Sequence, residues 1–324
     1  MSIEIRNIPK NWSDIKGNET VVGRIQEMVE REKADPKNMM RNLFLIGAQG
    51  TGKSSTVNVI RREFKATTGD SFLELNMSDE GTMDVFRTTV KGFCTYTRMV
   101  GDYRKILVLE EFDNASAATQ QAFRRIMETR VKNVLFILTG NREQKVIAPI
   151  RDRCFIGRYK FVKKEAIIER LKEVAAKEDI QYNDEDLLTI AEMSGGTVRS
   201  AVGMLGEYQM GSDIASIGSN LTAAASKFVA LCVGSSYQKA CDYAVDVVQN
   251  LDVPERDFLL KVRDIVVDSP DLNAATKRSL VILIADAEYR LVMGCHPKIS
   301  IDWLVASVQE RVQQQKRVEK NGEK

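Results

Sequence analysis

Histidine is almost missing from this chain: His296 is the only one among 324 residues. It stands in Gly294-Cys295-His296-Pro297, which reads as a loop between helices, with no second ligand in sight. That argues against a histidine-centred catalytic or metal site. Cysteine is sparse too. The five thiols, Cys94, Cys154, Cys232, Cys241 and Cys295, form no C-x-x-C pair. That argues against a zinc module and for reduced thiols in a cytosol-like compartment. No apolar run reaches the ~18 residues a membrane helix needs, so no membrane partner is expected. Met1-Ser2-Ile3-Glu4-Ile5-Arg6 carries no signal-peptide hydrophobic region. Excess charge is missing as well. A net charge of +2 announces neither a nucleic-acid binder nor a high-salt protein, so any phosphate-binding surface must be a local patch. Internal repeats and long low-complexity segments are also absent.

What is present is ordinary for a soluble globular chain: 44% hydrophobic and 28% charged residues. The length allows one to three domains and a sizeable core. The chain is organised around the stretch Leu43-Phe44-Leu45-Ile46-Gly47-Ala48-Gln49-Gly50-Thr51-Gly52-Lys53-Ser54, followed by Ser55. A short apolar run enters a glycine-rich loop, and a helical pattern leaves it through Val57 and Ile60. Gly47, Gly52, Lys53 and Ser54 fit the spacing G-x-x-x-x-G-K-[ST], the Walker A pattern. Such a loop closes backbone N–H groups around phosphate oxygens at the positive end of a helix. Lys53, read as an exposed loop lysine, would reach the β- and γ-phosphates of ATP, and the Ser54 hydroxyl would hold Mg²⁺.

Strand patterns fall at 43–46, 72–75, 106–109, 134–138 and 156–161, with helical patterns such as 53–64 and 115–129 between them. Alternation of this kind implies a parallel sheet covered on both faces, with ligands at the carboxyl ends of its strands. Strand 106–109 ends in Glu110-Glu111-Phe112-Asp113, the Walker B arrangement of a metal-holding acid followed by one that polarises water. Strand 134–138 leads to Asn141, a neutral group placed to orient that water. Taken together, these three patterns favour hydrolysis over binding alone.

Beyond Gly157 the strand signals fade. Helical faces follow at Ile167–Ala175, Leu187–Ala191 and Val198–Leu205, a small three-helix unit with Arg199 off its apolar face. The segment 211–220 reads as a linker. Residues 221–315 are helical by period, and the tail from Gln313 to Lys324 is expected to fray. Residues 1–20 read as polar and irregular.

In this order the motifs resemble the small ATPase subunits of replication factor C-type clamp loaders, within the AAA+ class. The resemblance covers residues 9–205. It rests on Pro9 with Trp12, Asp14, Ile15 and Gly17; the Walker A loop; Phe72-Leu73-Glu74-Leu75-Asn76-Met77-Ser78-Asp79-Glu80; and Asp84–Thr88. It continues through the Glu110–Asp113 block, Gln120–Glu128, Asn141, Pro149-Ile150-Arg151-Asp152-Arg153-Cys154 and Gly196-Thr197-Val198-Arg199. It implies an α/β AAA+ P-loop domain with a parallel five-stranded sheet over 1–157. A helical lid over 158–212 and an all-α collar over 213–324 would follow.

By the same resemblance Glu111, the sensor-1 residue Asn141, the sensor-2 residue Arg199 and the arginine finger Arg153, acting in trans, would serve catalysis. Gly47, Ala48, Gln49, Gly50, Thr51, Gly52, Lys53, Ser54 and Ser55, with Ile8, Pro9 and Ile15, would bind ATP. Ser54 and, through water, Glu110 would hold Mg²⁺. Arg87, Lys91 and Arg124 would touch DNA. The expected partners are the other subunits of a five-subunit ring, a ring-shaped sliding clamp and primer–template DNA. The expected setting is the cytoplasm of a prokaryote or a viral replication site, or the nucleus if eukaryotic.

Several positions depart from the family. Glu110 replaces an aspartate, Asp152 a serine, Gly81 a basic residue, Ile8 an arginine and Gly203 an asparagine. Two other readings stay open: another DNA-remodelling AAA+ ATPase, such as a helicase loader or branch-migration motor, and a nucleotide-binding structural subunit that does not hydrolyse.

Overall fold

The computed structural model describes residues 2–78, 83–95, 104–130, 134–212, 214–234, 237–250, 255–270 and 272–322. They fall into two compact units, Met1–Gly211 and Ser212–Lys324.

The first unit opens with a short helix α1 (Ile3–Arg6), a 3-10 turn at Trp12–Asp14 and α2 (Glu19–Ala34). Residues 1–20 are thus more ordered than their composition suggests. Asp14 explains part of this, because its Oδ2 accepts from the backbone N–H groups of Lys10 and Asn11. Then come β1 (Asn42–Ile46), α3 (Lys53–Glu63), β2 (Phe72–Asn76), α4 (Met83–Thr95), β3 (Lys105–Glu110) and α5 (Ala117–Arg130). β4 (Val134–Gly140), α6 (Ala148–Arg151) and β5 (Cys154–Arg158) complete the sheet. Its order is β2-β3-β4-β1-β5, and each pairing is parallel.

Side chains on β1 alternate as the pleat requires. Leu43 and Leu45 join Ile25, Val57, Ile60 and Val108 on the face covered by α2 and α3. Phe44 and Ile46 join Val90, Phe123 and Phe136 on the face covered by α4 and α5. Burial on both faces is why the strands read as continuous apolar runs. The fifth strand lies earlier than its apolar pattern at 156–161. It starts at Cys154, opposite Asn42, and ends at Arg158, opposite Ile46. Tyr159 still donates its N–H to Ile46 O at 2.6 Å, but Val162 N turns to Gly196 O at 2.8 Å. The chain has there left the sheet for the helices that follow.

Those helices are α7 (Lys164–Lys177), α8 (Asp184–Met193) and α9 (Val198–Gln209). Asn183 caps α8, its side chain accepting from Glu185 N. Ile167, Leu171, Val174, Leu187, Ile190, Ala201, Val202 and Leu205 are buried, as their spacing predicts.

At the far end of the sheet from the site, Glu32 and Arg104 form a buried pair. Arg104 Nε and Nη2 donate to the two carboxylate oxygens at 2.8 and 2.6 Å, and the Met40 N–H donates to Glu32 Oε2 at 2.8 Å. The pair ties α2 to the entry of β1.

The second unit is helical throughout its described residues: α10 (Ile214–Gly234), α11 (Tyr237–Asn250), α12 (Glu255–Asp268), α13 (Ala274–Val292) and α14 (Pro297–Gly322). Phe228, Phe258, Val262, Ala287, Leu304 and Val305 are buried in its core. Two expectations change here. Most of the segment 211–220 is not a linker but the opening of α10. Its glycines and serines sit on a helix whose remainder is rich in alanine and larger apolar residues. The tail, expected to fray, continues α14 to Gly322, in keeping with its good helix formers Gln, Lys, Arg and Glu.

Candidate active site

The carboxyl ends of β1, β3 and β4 open onto a cavity of about 470 Å³. Gln49, Gly50, Gly52, Lys53, Ser54 and Ser55 line it, while Gly47, Ala48 and Thr51 frame the loop behind them. Two glycines are required by geometry. A Cβ on Gly47 would lie 2.5 Å from the Tyr159 carbonyl oxygen, and Gly52, which caps α3, has φ 108°. The loop is braced from behind. Thr51 Oγ1 donates to Ala48 O at 2.8 Å, and Thr56 Oγ1 donates to Gly52 O at 3.0 Å. The buried Tyr159 hydroxyl in turn donates to Thr56 Oγ1 at 2.7 Å.

Lys53 corrects the sequence reading. It is buried rather than exposed, because it begins α3 and its stem folds under the loop. Its Nζ donates to Gly47 O at 2.6 Å and Ala48 O at 2.7 Å. Burial first, and the Arg199 charge second, lower its pKa to about 8, against the pull of Asp113, Glu110 and Glu111. A desolvated ammonium beside a second cation is a fit for a polyphosphate. Next to it, Ser54 Oγ donates to Glu110 Oε1 at 3.2 Å. A hydroxyl and a carboxylate meeting at the loop are hard oxygen donors of the kind Mg²⁺ takes together with water.

Glu111 follows β3 in the left-handed region, with φ 51°. Its N–H donates to Thr139 Oγ1 at 3.3 Å, and its Oε2 accepts from Ser78 Oγ and from Asn114 Nδ2, the latter at 3.2 Å. Asp113, the last acid of the block, is buried and does not line the cavity. It accepts from the N–H groups of Asn141 at 3.2 Å and Arg142 at 3.1 Å, and so fixes the turn that aims Asn141 into the cavity.

The helical side of the cavity is closed by α9. Val198 N donates to Gly50 O at 3.1 Å, and a Cβ on Gly50 would come within 3.3 Å of the Arg199 Cβ. Arg199 thus sits over the phosphate loop. Ile8, Pro9 and Ile15 line the wall formed by the N-terminal segment, where Asn58 Nδ2 holds Pro9 O at 2.7 Å. Sequence reasoning missed Glu4, Arg61, Phe72 and Glu74, all of which line the cavity. Burial, and then the Glu110 charge, raise the pKa of Glu74. The alternation on β2 was the available signal for Glu74. Nothing in sequence spacing announces Ser78 or Asn114 as partners of Glu111.

Three candidates stand apart from the cavity. Arg153, just before β5, is part-exposed and donates to Pro149 O at 2.6 Å and Glu128 Oε1 at 2.7 Å. Lys91 is exposed on α4, and Arg124 lies on the neighbouring α5, where its Nε donates to Glu128 at 3.1 Å. The Arg87 side chain and Gly81 lie outside the described residues.

Gln120 anchors the segment that leads to Arg153. Its amide donates to Lys145 O at 2.9 Å and accepts from Ile147 N at 2.9 Å. Among the described residues, no cluster of three or more His, Cys, Asp or Glu is placed to hold a metal by itself. No described helix is long and apolar enough to cross a membrane.

Residues 43–160 match the family described as ATPase family associated with various cellular activities (AAA). The replication factor C small subunit of Staphylothermus marinus is 29% identical over 92% of this chain and 91% of its own length. That of Archaeoglobus fulgidus is 29% identical over 92% and 94%. Among solved structures, the Holliday junction branch migration motor RuvB of Thermotoga maritima has a TM-score of 0.54. At 16% identity, it covers 95% of this chain and is covered over 91% of its own, which establishes a shared fold. Residues 43–160 thus carry an AAA ATPase family domain, and the relatives that this chain resembles over nine-tenths of its length are replication factor C small subunits.

Proposed function

We propose that this protein is an ATP-hydrolysing subunit of a sliding-clamp loader. In this reading it works in a five-subunit ring that opens a clamp and closes it around primer–template DNA. The observation that carries the reading is a division of labour between faces. Lys53, Ser54, Glu110, Glu111, Asn141 and Arg199 meet in one cavity, whereas Arg153 stands outside it, on Glu128. A cavity that already holds Arg199, in a chain whose second candidate arginine, Arg153, stands on another face, is suited to a ring in which each subunit lends that residue to its neighbour.

Lys53 and the loop amides hold the β- and γ-phosphates, and Ser54 and, through water, Glu110 would hold Mg²⁺, which would offset phosphate charge when bound. Glu111 takes the proton of the attacking water, Asn141 orients that water, and Arg199 binds the phosphates from α9. Arg153 of each subunit supplies positive charge to its neighbour's site. Lys91 and Arg124, on adjacent helices, meet duplex phosphates without reading sequence. The helical unit 212–324 joins the ring. The reaction belongs in the compartment that houses DNA replication.

ATPase measurements on the purified complex, with and without clamp and primer–template DNA, test the reading. Turnover stimulated by both together supports it. Stimulation by branched DNA alone would favour a branch-migration motor, and nucleotide binding without turnover a structural subunit.

A further inference from the structure

The helix α1 lies on a face of α9 that two glycines leave bare. A Cβ at Gly206 would meet Ile3 Cγ2 at 2.7 Å, and one at Gly203 would meet Glu4 Oε1 at 2.9 Å. The seat is reinforced further along the strand of chain. Arg6 Nε and Nη2 donate to Glu178 Oε2 at 3.0 and 2.6 Å, Asn7 Nδ2 to Glu178 Oε1 at 2.7 Å, and Arg170 Nη2 to Asn7 O at 2.7 Å. So anchored, the half-buried Glu4 lines the same cavity as Lys53 and Arg199. A carboxylate in a cavity that suits a polyphosphate opposes the ligand, and nothing in phosphate binding calls for it.

We propose that Glu4 is a specificity-determining residue that weakens the preference of the cavity for nucleoside triphosphate over diphosphate, acting through Arg199. The inference rests on the reading of the cavity as a nucleotide site. Gly203 follows Arg199 by one turn of α9, so the carboxylate that packs on Gly203 stands on the helix face that carries Arg199. Its charged form is favoured first by Ser2 and its own backbone N–H, with the Arg199 charge a smaller addition. Arg199 in turn stands over Gly50 and disfavours the charged form of Lys53, the residue that meets the β/γ end of the ligand. The terminal phosphate would add its negative charge in the cavity that Lys53 and Arg199 both line. Glu4 partly neutralises Arg199 there, and its cost falls on the triphosphate more than on the diphosphate.

Equilibrium binding of ATP and ADP, each with Mg²⁺ at fixed salt, tests this on the full chain. Glu4→Gln should tighten ATP by about 3–10-fold and ADP by less than about 2-fold, magnitudes typical of one part-screened charge. Gly203→Ala, whose Cβ would push the carboxylate aside, should shift the ATP-to-ADP ratio in the same direction. In an Arg199→Ala background the Glu4→Gln effect should shrink to within about 1.5-fold, since coupled groups are not additive. Equal changes for ATP and ADP, no change in a Glu4→Gln protein that melts like the parent, or an effect that persists without Arg199 would each overturn the proposal. If the parent protein binds neither nucleotide, the site reading falls first and the proposal with it. If the parent binds both and loses them with Lys53→Ala, only the role of Glu4 is at stake.

Discussion

Arg153 and Arg124 share one oxygen. Arg153 Nη2 donates to Glu128 Oε1 at 2.7 Å, and Arg124 Nε donates to the same atom at 3.1 Å. The residue proposed to reach the neighbouring subunit and a residue proposed to reach DNA therefore rest on a single carboxylate. All three side chains are more than a third exposed, so the pairs hold a position rather than add much stability.

Arg153 should be dispensable for binding and required for turnover. Arg153→Ala keeps its own Lys53 and should bind ATP as the parent does. Its rings should lose about 10³-fold or more in hydrolysis, the range known for arginine fingers. Mixing decides whether the residue acts in trans. Lys53→Ala and Arg153→Ala subunits should each be inactive, and a mixed ring should regain partial ATPase where an intact loop faces an intact finger. A dead mixture of assembled subunits, or a fully active Arg153→Ala, would refute the trans role.

Lys53 gives the site a pH dependence. Its pKa of about 8 in the free protein lies below the ordinary lysine value of 10.5. Bound polyphosphate favours the charged form, so affinity for ATP should fall as pH rises through about 8. The slope should approach one decade per pH unit. The sign for stability is opposite. Between pH 8 and 10.5 the unfolded chain holds a proton that the folded chain has lost, so stability of the free protein should rise with pH across this interval. Calorimetric titration from pH 7 to 10 checks the first statement. Lys53→Arg, which does not titrate there, should bind with a flat profile.

The legible parts of this molecule were those with a short period or a fixed spacing. Leu43–Ile46 reads as a buried strand because both pleat faces are covered, and the loop after it reads from its glycines. What stayed hidden depends on contacts across the fold. Lys53 looked like an exposed loop residue, yet two carbonyls five and six residues away draw its ammonium under the loop. Asp113 had no role of its own in the sequence reading of the acidic block, yet it accepts from the backbone N–H groups of residues 141 and 142. The opening of α10, up to residue 220, read as a linker because small residues carry little period. Glu4 carried no signal, since its importance comes from glycines nearly two hundred residues away.

Breaking the Glu32–Arg104 pair by removing one partner should be among the costliest single changes in the first unit. Both side chains are 4% exposed, and Glu32 also holds the Met40 N–H. Glu32→Ala leaves a buried guanidinium without its partner and should cost about 3–5 kcal/mol. A Glu32→Leu, Arg104→Met double variant should lose much less, because no charge is stranded. Urea denaturation followed through Trp12 in a Trp303→Phe background checks this, since Trp12 then reports on the first unit alone.

DNA contact should be electrostatic and indifferent to sequence. Lys91→Ala and Arg124→Ala should weaken duplex binding to about the same degree for every sequence. Each should reduce the slope of log K against log salt by about 0.9, as expected for the loss of one phosphate contact. Fluorescence anisotropy over a salt series gives both quantities. A loss confined to particular sequences, or an unchanged slope, would assign these charges to solvent.

The last expectation concerns how Glu111 is restrained. Its Oε2 is held by Ser78 and Asn114, and Asn114 Nδ2 also donates to Ser78 Oγ at 2.9 Å, so three side chains form one closed arrangement. These bonds hold the carboxylate in one orientation, so its freedom to turn toward the attacking water is set by Ser78 and Asn114. Glu111→Gln should bind ATP and hydrolyse it at least about 10²-fold more slowly, since an amide is no base. Ser78→Ala should act in the other sense. It releases the carboxylate without touching the phosphate loop, so turnover without DNA should rise while ATP affinity stays level. Glu110→Asp separates the two acids. Shortening the residue that accepts from Ser54 should move KM for Mg-ATP, because it changes the metal-binding pair and leaves Glu111 in place. Single-turnover rates alongside binding constants distinguish these outcomes. If Ser78→Ala lowers turnover as Glu111→Gln does, the hydroxyl positions the base for reaction rather than restraining it.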